Sequence, residues 1–380
     1  MRDCRLVLLL AALLALDACT PRETNFSQVP GFAAHFARNP PRSAAASPAD
    51  RALLARHAPR FMLPEGHPGL IGFYEDYVAQ GRLIAADGSE IARNPTRTQL
   101  NAVRDDPRVE FVHEPAGPSA TPVVLARIER ATGPDGGARP WSFMTYSAVF
   151  RSSGLPAAMP WWESLVLGAI GDLEDWHQLD HYTAATVVLD PDERPVALAM
   201  QQHNGRRTYL VGRDVALPPD GRLVVDVAVR SNELYAHRPG RHVRRAVRLQ
   251  DAAAMRYLVT GRSRPLMSTD DITDPRHEAA YRIDFLPPDD AFYVFKGFLG
   301  ERRRLPGRSG PPGADYNIQP AAKGPVTEML AGYWREGDAE TLAAVASAAG
   351  DGVFALRFAE ARRAAFLRDV DCVRRARSAC

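Results

Sequence analysis

The chain has 380 residues, 46% of them apolar, with 47 Lys and Arg against 45 Asp and Glu for a net charge of +2. That length can bury one large core or two smaller ones, and the near-neutral balance gives no basic surface of the kind that grips nucleic acid, so no nucleic-acid partner is expected. Of the four cysteines, Cys4 falls in the apolar leader and Cys19 at its processing site, which leaves Cys372 and Cys380, too few for a cysteine zinc site.

Residues 1–18 predict a lipoprotein signal peptide. Arg2 and Arg5 precede an unbroken apolar run from Leu6 to Leu16, which as a helix rises only about 17 Å against a hydrocarbon thickness of about 30 Å. Leu16-Asp17-Ala18-Cys19 has the form of a lipoprotein processing box, which makes Cys19 the expected lipidation site; an ordinary secretory cut near Ala18 is the alternative. Either way the protein is exported. By resemblance to bacterial lipoproteins, Thr20 after the cysteine favours the outer membrane, so the expected location is the cell envelope, lipid-anchored and facing the periplasm or the cell surface. Residues 19–46, rich in Pro, Ala, Ser and Asn, suit a flexible tether.

The folded part is expected over 47–325, as a β-sandwich domain with N-terminal helices. Ser47-Pro48-Ala49-Asp50 starts a helix: serine caps, proline fits the first turn and Asp50 favours the positive end. Ala58 to Pro64 reads as extended because residues before proline avoid helical geometry, and a second helix is expected from Leu70 to Gln80. Seven runs rich in β-branched and aromatic residues follow: Thr121–Ile128, Trp141–Phe150, Thr183–Leu189, Pro195–Gln202, Thr208–Val211, Leu223–Val229 and Ala291–Phe295. Separated by Pro, Gly, Asp and Asn, they predict a mainly β fold: an antiparallel β-sandwich core with added N-terminal and C-terminal helices. Asp190 to Arg194 is the turn between two adjacent strands.

Residues 326–380 predict a helical segment packed on the sandwich, with helices at Val326–Tyr333, Ala339–Ala348 and Phe354–Arg375 and an apolar stripe of Phe354, Phe358, Ala361 and Ala365. This end is basic. Its arginines form either a solvated face or a contact with anionic lipid beside the anchor. With Cys4 removed and Cys19 lipidated, Cys372 and Cys380 remain to pair in an oxidising compartment or to stand as free thiols.

Common hydrolase, zinc-helix and nucleotide-loop motifs are absent from the sequence. What stands out is the crowding of acids and imidazoles from Asp172 to Tyr182, directly before a strand. Extended geometry turns Asp180 and Tyr182 to one face and His181 to the other, with His177 in the preceding turn free to fold back toward Asp180. One histidine with nearby carboxylates suits a divalent cation, the one candidate cofactor; His177 and Asp180 are the candidate metal ligands. Asp172, Asp175, His203, Glu233 and His237 are candidate additions at the same sandwich rim. An ordinary hydrogen-bonded rim and metal-free acid–base chemistry are the competing readings, and no catalytic residue is assigned.

His177-x-x-Asp180-x-Tyr182 before a Val-rich strand resembles the His- and Asp-containing segments of the necrosis-inducing and Vps62-like protein families. The likeness runs in order through Ala58-Pro59-x-Phe61, Trp141 to Phe150 and Gln202-His203. It continues with Ser231 to His242, where those families carry Gly-Ser-His-Ala-x-Tyr, and with Phe295 to Gly300 and Ser309-Gly310-Pro311. It implies a β-sandwich and puts the families' metal-binding His and Asp on His177 and Asp180, while their glutamate falls on Tyr182 and loses its carboxylate. The resulting expectation is an envelope binding domain for a divalent cation or a polar headgroup, small molecule or glycan. A metal-dependent hydrolase, with His203 or Glu233 as general base, is one alternative, and a structural protein without ligand is the other.

Overall fold

The computed structural model of the protein describes residues 46–114, 122–152, 179–181, 183–202, 205–238, 272–300, 312–317, 324–333 and 359–375. The first element, α1 (Pro48–Arg56), begins as its sequence dictates. The Ser47 hydroxyl accepts the Asp50 amide at 3.1 Å and the Asp50 carboxylate accepts the Ser47 amide at 3.0 Å, a reciprocal cap. Leu53 and Leu54 are its buried side, and the short helices α2 (Arg97–Ala102), α3 (Ala291–Val294) and α4 (Ala314–Asn317) come later in the chain.

Thirteen strands follow among the described residues: β1 (Arg60–Pro64), β2 (Gly81–Ile84), β3 (Glu90–Arg93), β4 (Glu110–His113), β5 (Val123–Thr132), β6 (Pro140–Ser147) and β7 (Ala184–Leu189), then β8 (Pro195–Gln202), β9 (Gly205–Leu210), β10 (Val224–Val227), β11 (Leu234–Ala236), β12 (Arg276–Glu278) and β13 (Arg282–Phe285). They form a four-stranded sheet in the order β11-β10-β1-β12, a six-stranded sheet β13-β5-β6-β7-β8-β9 and a small sheet β3-β2-β4. The fold is mainly β, and the two larger sheets face each other across one core. Phe61 and Leu63 of β1, Val225 and Val227 of β10, and Leu234 of β11 meet Val124, Met144, Tyr146, Val187, Leu198 and Met200 from the six-stranded sheet. Burying each such side chain stabilises the fold by about 1.5–3 kcal/mol.

The sandwich is not wholly antiparallel, because β1 pairs with β10 and β5 with β13 in parallel. Its larger sheet is also covered on both faces. Trp141, Phe143, Val188, Ala197 and Leu210 face away from the shared core onto α5 (Pro325–Ala331) and α6 (Ala359–Arg374). Val123 and Leu125 face Phe73, Tyr77 and Phe292. Burial on two faces is why β5, β7 and β8 read as continuous apolar runs instead of alternating ones.

Three further expectations need correction, and one sheet was not anticipated. Ala291 to Phe295 is not a strand: Ala291–Val294 forms a helical turn, α3, because the Asp290 carboxylate caps it by accepting the Phe292 amide at 3.0 Å. All four residues of that turn are buried, so periodicity could not separate strand from helix. The helix expected at 70–80 is a six-residue π-helix, Phe73–Val78. The small sheet β3-β2-β4 went unforeseen, since its four-residue strands carry charges and little β-branching. In α6 the buried stripe is Ala359, Phe366 and Val370, whereas Ala361 is exposed. The expected helix at 339–348 and the start of the next at 354 lie outside the described residues.

The Asp190 to Arg194 turn joins β7 and β8 as expected. Asp190 Oδ1 accepts the Asp192 and Arg194 amides at 2.9 and 3.0 Å, and Glu193 takes the left-handed conformation at φ 58°. Arg374 of α6 reaches the other Asp190 oxygen at 2.5 Å, which ties the C-terminal helix to this hairpin. Other arginines of α6 are likewise engaged: Arg362 by the Ala331 carbonyl, Arg363 by Glu360 and the Pro134 carbonyl, and Arg375 by Asp371. Cys372 is disulfide-bonded, and Cys380 lies outside the described residues. Among the described residues no helix is long and apolar enough to cross a membrane.

Candidate functional site

Phe150 and Asp180 exchange both backbone hydrogen bonds, at 2.7 and 3.0 Å, and so extend the β6–β7 pairing to the sandwich end. Extended backbone alternates its side chains. Leu179 and His181 therefore enter the aromatic cluster of Phe73 and Phe292, while Asp180 turns to the opposite side. His181 donates from Nε2 to the Pro312 carbonyl at 2.7 Å, and its ring lies nearly parallel to Phe73. Full burial pushes its pKa down to about 4, only partly opposed by that hydrogen bond, so the ring is neutral at physiological pH. Its Nδ1 is buried with no hydrogen-bond partner among the described residues.

Asp180 has no exposed surface, and both carboxylate oxygens accept hydrogen bonds: Oδ1 from the Thr183 hydroxyl at 2.9 Å and Oδ2 from the Asn232 side-chain amide at 2.8 Å. The Asn232 nitrogen also donates to the Ser152 carbonyl at 2.9 Å, and Asn232 Oδ1 lies 3.0 Å from His67 Nε2. His67 Nδ1 accepts the Gly69 amide at 3.0 Å. These contacts settle the tautomer. Nδ1 is an acceptor, so Nε2 carries the hydrogen and donates to Asn232. Burial lowers the His67 pKa to about 4; the bond to Asn232 works against that shift and the nearby His277 adds to it. Asn232 itself sits at φ 57°, a conformation asparagine tolerates better than other non-glycine residues.

Gly69 through Asp180 is thus one relay built from four separate segments: the loop after β1, the end of β6, the approach to β7 and the β10–β11 turn. Ala185 of β7 pairs with Met200 of β8, so β8 finishes at the same end, with Gln202 paired to Gly205 of β9. His203 itself, with Asp172, Asp175, His177 and Tyr182, lies outside the described residues, as does Cys19. The Asp180–His177 pairing anticipated from sequence is therefore not among the described contacts.

Two other anticipated rim residues have different partners. The Glu233 carboxylate accepts the Tyr235 hydroxyl, and His237 Nδ1 lies 2.7 Å from Asp226 Oδ1. β11 runs antiparallel to β10 from the turn that holds Asn232, which carries His237 away from the Asp180 end. Among the described residues no three His, Cys, Asp or Glu side chains converge as a metal cluster would. Sequence reading missed His67, Thr183, Asn232 and Asp226. A Gly-His-Pro-Gly loop at 66–69 and an asparagine in a tight turn were the available signals, but an amide that does not titrate does not stand out in a search for acids and imidazoles.

Chemically the relay ties four segments together, with the buried carboxyl group of Asp180 at one end and a neutral imidazole at the other. Comparison with known proteins finds no family model, no curated protein and no solved structure that matches this chain.

Proposed function

We propose that this chain is a lipid-anchored cell-envelope protein whose sandwich end binds a polar, hydroxyl-rich ligand, a glycan or a lipid headgroup. The observation that carries this reading is the relay through Asn232, which joins a buried carboxylate to an imidazole across four loops. A sheet end can be closed more stably with apolar side chains, because burying charge costs more than its hydrogen bonds return. Charged and polar groups kept buried where loops converge are characteristic of binding sites, and the fixed loops preorganise the end that receives the ligand. Two segments that resemble the Vps62-like and necrosis-inducing families, around Asp180 and around Ser231 to His242, also share the Asp180–Asn232 hydrogen bond. A divalent cation at Asp180 remains the second ligand class under this reading.

Full-length protein in detergent, applied to glycan and polar-headgroup arrays, tests the ligand. Binding to one class that drops at least tenfold in both Asp180→Asn and Asn232→Ala supports the reading; a wild-type protein that retains nothing, or variants that bind equally well, counts against it. Elemental analysis after dialysis against calcium, magnesium, manganese and zinc tests the cation. Replacement of Cys19 by Ala should shift the protein from the membrane to the soluble envelope fraction, and an unchanged membrane fraction would overturn the anchor.

A further inference from the structure

Among the described residues, the loop after β1 is tied across the sandwich end by one side chain. At its margins the Glu65 amide donates to the Pro275 carbonyl at 3.0 Å, the Ile71 amide donates to the Val149 carbonyl at 2.9 Å, and Leu70 is buried in the shared core. Between these anchors the described polar contact from residues 66–69 to another segment runs through the His67 ring, which donates to Asn232 and stands edge-on to Phe150 at 5.4 Å. Gly66 and Gly69 flank the histidine at φ 80° and 91°, with open space where a Cβ would stand. Glycine moves between positive and negative φ at little cost, so both ends of this short segment can swing.

The ring can hold the segment in this form only while neutral. Its Nδ1 accepts the Gly69 amide at 3.0 Å, whereas a protonated imidazole carries a hydrogen on each nitrogen and has no lone pair to offer. Proton and hydrogen bond therefore exclude one another, because two N–H groups would face each other across that gap. The surrounding groups do not reverse this. His277 of β12 is exposed and adds like charge when it protonates. Asp180 meets the ring only through Asn232, Glu233 is committed to Tyr235, Arg151 bears on His113, and Glu65 is exposed. We infer that residues 66–69 are an acid-released latch on the Asn232 relay: protonation of His67 breaks its bond with the Gly69 amide, and the segment swings on its two glycines away from Asn232. The latch requires no ligand, so it stands or falls apart from the binding proposed above.

Amide exchange of the full chain, corrected for the intrinsic effect of pH, tests this. Burial holds the His67 pKa at about 4 against 6.5 for a free imidazole, so the closed latch is favoured above pH 6.5 and the open form gains as pH falls toward 4. Opening at Gly69 should rise roughly 20-fold between pH 7.5 and pH 5, over labelling times at which β7 stays protected, and the 15N shifts of the His67 ring should change over the same interval. His67→Gln, which keeps a donor for Asn232 and an acceptor for Gly69 at every pH, should flatten the rise. Exchange at Gly69 that is independent of pH, or that appears only together with β7, overturns the latch. So does a His67 ring that titrates without any opening, or a folded His67→Gln that keeps the wild-type rise.

Discussion

Asn232 and Asp180 stand 52 residues apart in sequence and share a 2.8 Å hydrogen bond at the end of the sandwich. The asparagine is the hinge of the whole relay, since its amide serves Asp180 and Ser152 while its oxygen takes the hydrogen of His67. Replacing it with Ala leaves a buried carboxylate, a carbonyl and an imidazole each short of a partner and puts a residue less suited to φ 57° in the turn. The expected loss in urea unfolding is about 2–4 kcal/mol. Asn232→Asp separates the charge effect from shape: it should be at least as destabilising at neutral pH, where two carboxylates would face each other, and should recover as acid neutralises one. Equal stability of wild type and Asn232→Ala would remove the relay from any structural or functional argument.

Proton linkage gives a second check. His67 and His181 both have pKa values lowered to about 4 from 6.5, each mainly by burial. A depressed imidazole pKa means that the unfolded chain binds the proton more readily than the fold. The stabilisation is therefore complete above pH 6.5 and declines as pH falls toward 4, by up to about 3 kcal/mol per group. Urea midpoints at pH 7.5 and pH 5 should differ accordingly, and His67→Gln should remove part of that difference, the rest coming from His181 and from His57 and His113, whose pKa values burial also lowers. A midpoint independent of pH over this interval contradicts both burials.

The C-terminal helix is an integral layer of the fold on this reading. Phe366 is fully buried, edge-on to Tyr333 at 5.0 Å and tilted against Trp141 at 6.4 Å. Phe366→Ala should cost about 3–5 kcal/mol, whereas Arg375→Ala, which removes an exposed pair with Asp371, should cost about 0.5 kcal/mol or less. Thermal unfolding of both variants, followed by tryptophan fluorescence, reads the contrast; similar small losses would show the helix to be dispensable.

Gly133 tests the packing of Trp141 from the other side. A Cβ added there would lie 2.1 Å from the indole ring, and Trp141 is itself buried in the cluster that receives α6. Gly133→Ala should lower stability by about 1–3 kcal/mol and shift the tryptophan emission, while Gly136→Ala, with open space around it but φ 69°, should show strain without the fluorescence change.

Local determinants were readable from the chain alone. The Ser47 and Asp50 cap, the extended stretch before Pro64, the strand at Pro195–Gln202 and the Asp190 turn each depend on residues within a few positions of one another, and each forms as its sequence predicts. The opposite facing of Asp180 and His181 was likewise readable, because strand alternation is a property of the backbone. Which partner each side chain meets was not. Glu233, grouped with Asp180 from sequence, takes Tyr235; His237, grouped with it too, takes Asp226; and Asp180 takes Asn232. Those choices depend on which strands are neighbours, and the parallel placement of β10 beside β1 brings residues 60–62 against 224–226 across more than a hundred intervening positions. Periodicity along a chain carries the face on which a side chain stands, but it holds no record of the strand beside it, so only the tertiary structure could join His67, Asn232 and Asp180.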